Sequence, residues 1–147
     1  MELNTEGAFQ VKAPIQKVWD FVIDPNKMGK CLPDLKSLEV GADSQFTARV
    51  RIGVGVMKGD FKFQLAILDQ RPPSHARLKG GGTGVGSSVN LDTLMDLVEV
   101  DGGTKVTYKA AIQLGGSIAS LGQRVMGGTV ERTVAQVFDC VKRQLES

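Results

Sequence analysis

The stretch GGSIASLGQRVMGGTVERTVAQVFDCVKRQLE, residues 115–146, decides the fold class of this chain of 147 residues. It contains no proline, and its second half repeats apolar residues at the spacing of an amphipathic helix. The sequence therefore predicts one long C-terminal helix over residues 115–146. No other segment is long enough to cover one face of a large sheet, so the rest of the fold is expected to be arranged around this helix.

Upstream of this helix, apolar and polar residues alternate along successive segments, which is typical of antiparallel strands with one buried and one solvated face. Two short helices are predicted after the first strand, over residues 14–23 and from Asp24 through Met28, because prolines punctuate the chain there. Seven strands are predicted, over residues 3–12, 35–40, 45–52, 60–67, 75–83, 87–100 and 106–114. Strands gathered in one run with helices at the ends indicate an α+β fold, in one domain over residues 1–147.

The two halves of the predicted helix carry their apolar residues on different faces. At about 100° per residue, the apolar residues from Val130 onward form one stripe, whereas Ile118, Leu121 and Val125 lie on the opposite side. One interpretation is that the helix breaks at Gly127-Gly128, so that both faces point inward. The other is a continuous helix that leaves an exposed apolar patch for a partner or a membrane.

Small residues face the sheet along the first half of this helix, and 18 of the 147 residues in the chain are glycine. Because protein interiors are closely packed, a gap left between a helix and a sheet by small residues is interpreted as an apolar ligand cavity. The alternative is that the glycines permit close approach of one backbone to another.

Composition and charge exclude several classes of function. Basic residues exceed acidic ones by 18 − 16 = 2 with both signs interspersed, so no nucleic-acid surface is predicted. Cys31 and Cys140 are too few for a disulfide framework and belong to no CxxC or His/Cys cluster, so no metal site is predicted. The N-terminus lacks an apolar signal region, and no run approaches the ~18 apolar residues of a membrane span, so a cytoplasmic protein is expected.

The sequence contains no convincing catalytic constellation. His75, the one histidine, follows a proline turn and is predicted to be an exposed turn residue. Cys31 is either a reactive thiol or a partly buried, unreactive residue. Asp92 and Asp96 lie on one side of a strand, either as a carboxylate pair or as part of a solvated face. The glycines of residues 80–86 match no phosphate-binding motif. We therefore expect a binding protein and no enzyme.

Motifs spread over nearly the whole chain support a family resemblance. They are Val11-Lys12-Ala13-Pro14 with Val18-Trp19, Asp24-Pro25, Cys31-Leu32-Pro33, Gly53-Val54-Gly55, Lys58-Gly59-Asp60-Phe61, Gly80–Gly84, Gly103–Tyr108 and Gly115–Gly122. This pattern resembles the CoxG family (the G subunit of carbon monoxide dehydrogenase) within the START-like, polyketide-cyclase-like (SRPBCC) superfamily. The sequence departs from the family at Asp34, where glycine is usual, and it ends at Ser147, whereas many relatives continue into an apolar tail.

The resemblance implies a helix-grip fold, in which a curved seven-stranded antiparallel sheet wraps around the long C-terminal helix and encloses an apolar cavity. It implies a hydrophobic small molecule as ligand, either a lipid or a quinone-like compound, and no other cofactor. It further implies an accessory subunit of a carbon monoxide dehydrogenase-like molybdenum hydroxylase, acting in recruitment, quinone handling or maturation. A peripheral contact with the inner face of the membrane is also implied, although the missing tail argues against stable anchoring by this chain.

The predicted site combines the inward residues of the sheet with apolar residues of the loop and helix. The cavity is expected to be lined or bordered by Met28, Leu32, Phe61, Phe63, Leu91, Tyr108, Ile118, Leu121 and Val125. Tyr108 supplies a phenol that would orient a ligand carbonyl or hydroxyl. Arg124 is either a polar contact at the mouth of the cavity or a surface residue.

Two rival functions stay open at this point. A cyclase or hydrolase in the same fold would need a charged residue that points into the cavity, and the candidates are Asp60, Asp96, Arg124 and Glu131. A pure interaction subunit would instead bind a partner or a membrane through an exposed patch over residues 118–125, and its cavity would be incidental.

Overall fold

Seven antiparallel strands form a single sheet in the computed structural model, which describes residues 1–146 and confirms the α+β helix-grip fold. The strands are β1 (Glu2–Val11), β2 (Leu35–Val40), β3 (Gln45–Val54), β4 (Met57–Arg71), β5 (His75–Gly84), β6 (Ser87–Val100) and β7 (Gly103–Gly116). The helices are α1 (Ile15–Val22), α2 (Pro25–Met28) and α3 (Gln123–Glu146), with single 3₁₀ turns at Gly29–Cys31 and Ala119–Leu121. The predicted elements are therefore present.

The strand order is β1-β7-β6-β5-β4-β3-β2. Strands β2 to β7 form an antiparallel meander, and β1 is added beside its last strand, β7. Strands β2 to β7 each pair with their neighbour in sequence, whereas β1 pairs with β7, from Glu2 opposite Gln113 to Val11 opposite Thr104. Strands β1 and β2 are consequently the two edges of the sheet. Helices α1 and α2 lie in the connection that carries the chain from one edge to the other.

The C-terminal helix begins later than predicted, at Gln123 instead of residue 115. The first residues of the predicted helix instead complete β7, which pairs with β6 as far as Gly116 opposite Ser87. Gly116 has φ 72°, and a Cβ at this position would collide with the carbonyl oxygen of Gly86 in the β5–β6 turn. Glycine is thus required at Gly116 both by its backbone conformation and by close approach.

Helix α3 runs along the whole of β1. Near its beginning, Gln123 Nε2 donates to the carbonyl oxygen of Glu2 over 3.4 Å, and at its end Glu146 Oε2 accepts from the amide of Lys12 over 2.9 Å. The helix of 24 residues is about 36 Å long and the strand of 10 residues about 34 Å, so their lengths match.

Neither sequence-based arrangement of the helix is correct. The helix continues without a break through Gly127-Gly128, which contradicts the first arrangement. The predicted apolar patch does not form either: Ile118 precedes the helix and is 2% exposed, and Leu121 is partly buried, whereas only Val125 is exposed, at 45%.

The core consists of two separate clusters at opposite ends of the sheet. The first, near α1 and the end of α3, contains Val11, Ala13, Val18, Trp19, Phe21, Cys31, Ala76, Leu97, Val106, Val141 and Leu145. The second, near the β3–β4 and β5–β6 turns, contains Val54, Phe61, Val89, Ile112, Leu114, Ile118 and Met126. Trp19 is 2% exposed within the first cluster.

Cys31 and Cys140 form a disulfide bond, which the cysteine count did not predict. Their Cα atoms lie 5.4 Å apart although the residues are separated by 109 positions in sequence. The bond joins the 3₁₀ turn after α2 to helix α3. Sequence reasoning missed this pair because only the tertiary fold brings the two segments together.

Candidate functional site

Between the two core clusters, the inner face of the sheet is only partly covered by α3. Thr5 on β1 pairs with Ala110 on β7, which pairs in turn with Thr93 on β6, and all three residues are partly buried. Their neighbours toward either end of the sheet, such as Ile112 and Val106, are buried. We call the partly covered strip the central groove. It is formed on the sheet by Thr5, Gly7, Leu91, Thr93, Tyr108 and Ala110, and on the helix by Gly127, Val130 and Val134.

Gly127 shows that space remains between the helix and the sheet. It precedes the buried Leu145 by about five helical turns, so the two residues face the same direction. A Cβ added to Gly127 would meet no atom within 4 Å other than the adjacent residues and the nearby backbone of the helix itself. Close packing of α3 onto the sheet therefore fails at this point, at a glycine that the sequence suggested only as a break in the helix.

An aromatic stack closes the groove toward the first core cluster. The rings of Phe9 and Phe138 lie 4.1 Å apart at their centroids, and Tyr108 meets Phe138 edge-on at 4.9 Å. The Tyr108 ring reaches across from β7 to β1, because a Cβ at Gly7 would lie only 2.8 Å from its hydroxyl oxygen. Glycine at position 7 thus makes room for the phenol and places its hydroxyl over β1.

The glycines of β5 serve close packing of adjacent strands. Gly80 and Gly82 face inward, and a Cβ at Gly82 would lie 2.6 Å from the Phe63 ring and 2.8 Å from the carbonyl oxygen of Lys62. Side chains of β4 therefore lie directly over the β5 backbone. This confirms the interpretation of the glycines as sites of close approach, and it places residues 80–84 inside a strand.

Five of the nine predicted cavity residues come together in the structure, but in and around a packed core cluster. Phe61, Phe63, Leu91, Ile118 and Leu121 join the second core cluster, Met28 packs against the first cluster, and Tyr108 lies between the two. Leu32 is partly buried next to Cys31. Val125 and Arg124 are exposed on the first turn of α3. The site is accordingly centred on β1, β7 and β6, further from the loop than predicted.

Charged side chains lie on the outer face of the sheet or on exposed surfaces of the helix. The four candidates for an inward charge, Asp60, Asp96, Arg124 and Glu131, are all exposed. The Asp60 Oδ1 atom lies 3.4 Å from Arg51 Nη1. Asp96 Oδ1 lies 2.8 Å from His75 Nδ1, so His75 is a partly buried residue at the start of β5 and not the exposed turn residue that was predicted.

Asp92 and Asp96 both lie on the solvated outer face, but they do not form a carboxylate pair. Arg77 donates to Asp92 through Nε over 2.7 Å and through a second nitrogen. The hydrogen bonds and the positive charge of this guanidinium lower the pKa of the Asp92 carboxyl. Each aspartate thus has its own cationic or hydrogen-bonding partner, Arg77 for one and His75 for the other.

The outer face of the sheet also carries an open hollow of about 540 Å³, lined among others by Glu6, Leu94, Asp96 and Lys109. The Lys109 Nζ and Glu6 Oε2 atoms lie 3.9 Å apart across this hollow. Apolar atoms of residues such as Ala8 and Leu94 also line this hollow, but it lies open on the outer face of the sheet with charged side chains at its border. It therefore encloses no ligand, and the central groove is the better candidate site. Within residues 1–146, no three His, Cys, Asp or Glu residues are grouped so as to hold a metal ion.

Sequence reasoning missed two threonines of the groove, Thr5 and Thr93. Each occupies the inward, otherwise apolar phase of its strand, between Leu3 and Phe9 in β1 and between Leu91 and Met95 in β6. A threonine at a strand position where the alternation calls for an apolar residue was the feature of the sequence that could have identified them. In the part of the chain that the structure describes, no helix has both the length and the apolarity to cross a membrane.

Comparison with known proteins agrees with this architecture. A conserved protein from Geobacillus kaustophilus shares 30% identity with a TM-score of 0.92, over 98% of this chain and 95% of its own. The Zhui aromatase/cyclase from Streptomyces sp. R1128 shares the fold at 14% identity and TM-score 0.74, over 99% and 94% of the two chains. The protein TTHA0849 from Thermus thermophilus does so at 15% identity and TM-score 0.70, over 99% and 97%.

None of the curated proteins matches this sequence. The family model of CoxG, the G subunit of carbon monoxide dehydrogenase, matches residues 7–146, a range that holds half of β1, every later strand of the sheet and all of helix α3. The match thus covers nearly all of the fold described above. The chain therefore belongs to the CoxG family of carbon monoxide dehydrogenase subunits.

Proposed function

We propose that this protein binds a hydrophobic small molecule, a lipid or a quinone-like compound, in the central groove. The observation that carries the proposal is the open space beneath Gly127, where a continuous helix passes over an uncharged and partly exposed stretch of the sheet. A gap that a folded protein retains between helix and sheet, with apolar walls, is suited to an apolar ligand.

The energetics of such a site favour binding by burial of apolar surface. Every 100 Å² of apolar ligand surface removed from water contributes roughly 2.5 kcal/mol, against an association cost of several kcal/mol. A ligand that buries about 500 Å² against Leu91, Val130 and the aromatic stack would gain roughly 12 kcal/mol, which leaves about 8 kcal/mol, or micromolar affinity, after an association cost of about 4 kcal/mol. Charge contributes little, because no charged side chain lines the groove.

The binding is tested by titrating the purified protein with N-phenyl-1-naphthylamine, a neutral dye that fluoresces in apolar surroundings, and displacing it with an alkylated naphthoquinone. Micromolar dissociation constants are expected for both compounds. Leu91→Gln should weaken dye binding about tenfold or more, because it places an amide in the groove. Leu94→Gln changes the exposed, outer side of the same strand and should bind like the unmodified protein.

The absence of binding at tens of micromolar would contradict the proposal. So would equal affinities of the Leu91 and Leu94 variants, provided that circular dichroism shows both to be folded. Mass spectrometry of the protein as isolated from cells provides an independent measurement, because a tight ligand of the groove should co-purify with it.

We further propose that the protein acts as a non-enzymatic accessory subunit of a carbon monoxide dehydrogenase-like molybdenum hydroxylase. Membership in the CoxG family supports the partner, and the exposed positions of Asp60, Asp96, Arg124 and Glu131 support a role without catalysis in the groove. The test is co-purification of a molybdenum hydroxylase with the tagged protein from its own cells. Recovery of the tagged protein without such an enzyme would count against this role.

A further inference from the structure

We infer that the ligand of the central groove carries an uncharged head group with oxygen acceptors, which the hydroxyls of Thr5, Thr93 and Tyr108 hold midway between the two apolar clusters. The inference rests on the proposed binding function and specifies the chemistry of its ligand. It also assigns a polar subsite to two residues, Thr5 and Thr93, that the sequence analysis did not single out.

The three hydroxyls differ from the other inward-facing hydroxyls in their bonding. Buried Thr104 donates from Oγ1 to the carbonyl oxygen of Ala13 over 2.9 Å. Buried Ser87 accepts through Oγ from the amide of Ile118 over 2.9 Å. These two residues have structural partners, as buried polar groups normally do.

Thr5, Thr93 and Tyr108, by contrast, form no side-chain hydrogen bond with any residue in the range 1–146. No side-chain oxygen or nitrogen within this range is both fully buried and without a hydrogen-bond partner. Solvent therefore reaches each of the three hydroxyls inside the groove. Each can donate a hydrogen bond to a ligand and accept one from it.

The register of the strands places these hydroxyls around one small residue. Thr5 and Thr93 lie on either side of Ala110, each at the cross-strand distance of about 5 Å between Cβ atoms. Tyr108 lies two residues along β7, about 7 Å from Ala110. The methyl group of Ala110 leaves room above it. A flat or narrow head group lying on Ala110 would have the hydroxyls of Thr5 and Tyr108 on its β1 side and that of Thr93 on its β6 side.

The charge distribution excludes an ionised head group from this position. On the three strands beneath the groove, the charged residues nearest to the hydroxyls are Glu6, Asp92 and Lys109, and all three lie in the outward phase of their strands. On α3, Arg124 and Glu131 are exposed. A carboxylate or phosphate in the groove would lose its hydration and gain no cation, at a cost of several kcal/mol.

The test measures the displacement of N-phenyl-1-naphthylamine by three naphthalenes that differ only in one substituent: 2-acetylnaphthalene, 2-ethylnaphthalene and 2-naphthoate. The variants Thr93→Val and Tyr108→Phe remove one hydroxyl each with little change of shape. The single acetyl oxygen can contact the hydroxyls on one side of the groove only, so one of the two variants is expected to weaken 2-acetylnaphthalene binding about fivefold, the value of one hydrogen bond of ~1 kcal/mol. Neither variant should weaken 2-ethylnaphthalene binding. Thr107→Val, on the outward side of β7, should leave both affinities unchanged.

The outcomes separate this inference from the proposed function. If 2-ethylnaphthalene and 2-acetylnaphthalene bind and the two hydroxyl deletions affect them equally, the polar subsite is refuted and the apolar groove remains. Tighter binding of 2-naphthoate than of 2-acetylnaphthalene would also refute an uncharged subsite. If none of the three compounds binds to the unmodified protein, the proposed function itself fails.

Discussion

Replacing Gly127 with leucine should raise the stability of this protein and abolish its ligand binding at the same time. Glycine in the interior of a helix costs about 1 kcal/mol relative to alanine. A Cβ at position 127 would meet no atom within 4 Å outside the helix's own backbone, so the gain in helix propensity comes without a clash of the Cβ. Leucine would extend further into the groove and bury additional apolar surface between helix and sheet.

The expected gain in the free energy of unfolding for Gly127→Leu is therefore about 1 kcal/mol or more. For a domain of this size that corresponds to a rise in the melting temperature of roughly 2–4 °C per kcal/mol. The same side chain would occupy the space of the ligand, so the dissociation constant for N-phenyl-1-naphthylamine should rise more than tenfold. Thermal unfolding followed by circular dichroism and a dye titration measure the two effects on the same sample.

Gly128 provides a matched control in the same helical turn. It is rotated by about 100° from Gly127, and a Cβ there would approach only the flexible end of Arg132, at 3.3 Å. Gly128→Leu should gain stability from helix propensity but keep the affinity of the unmodified protein. A loss of stability in Gly127→Leu, or an affinity equal to that of Gly128→Leu, would refute the open groove beneath the helix.

Three further predictions concern the scaffold around the groove. Ser87→Ala leaves the buried amide of Ile118 without its partner, and should lower the free energy of unfolding by about 1–3 kcal/mol in a urea titration. Cys140→Ser removes the disulfide bond and should lower the free energy of unfolding by about 2–4 kcal/mol. In the presence of reductant, the unmodified protein should melt at the same temperature as the variant. A higher melting temperature of the reduced, unmodified protein would contradict this prediction. Arg77 lowers the pKa of Asp92, so this pair adds stability above the usual carboxyl pKa of ~4 and loses it as the pH falls through the lowered value. Asp92→Asn should therefore cost at most about 1 kcal/mol at pH 7, since the pair is partly solvated, and progressively less as the pH falls through the lowered pKa. A loss that does not change with pH would exclude the ion pair as its cause.

The disulfide bond and the expected cytoplasmic location predict different oxidation states of the two cysteines in the cell. The first predicts bonded cysteines, and the second predicts free thiols. Cellular reductants keep cytoplasmic thiols reduced, and disulfides persist in oxidising compartments. Alkylation of the protein in freshly lysed cells distinguishes the two cases, because a cytoplasmic pool should label at Cys31 and Cys140 after unfolding, whereas the bonded form should not label.

The resemblance identified in the sequence covers nearly the same residues as the family match, and much of the fold was predictable from local patterns. Alternation with a period of two residues is a property of each strand alone, so Phe61–Ile67 and similar segments could be assigned without knowing their partners. The helical spacing from Val130 to Leu145 likewise fixed the second half of α3 and the face that it buries. Such periodicities reflect burial of one face of an element. They are the same whichever neighbouring element covers that face.

What the sequence by itself determined, then, was the α+β class, the order of the elements and the apolar face of the last helix. The tertiary structure alone decided where that helix begins, because the pairing of Gly116 with Ser87 holds residues 115–116 in the sheet. It alone brought Cys31 to Cys140 and placed Thr5 and Thr93 on either side of Ala110. These features depend on contacts between residues far apart in the chain, and a local periodicity carries no information about such contacts.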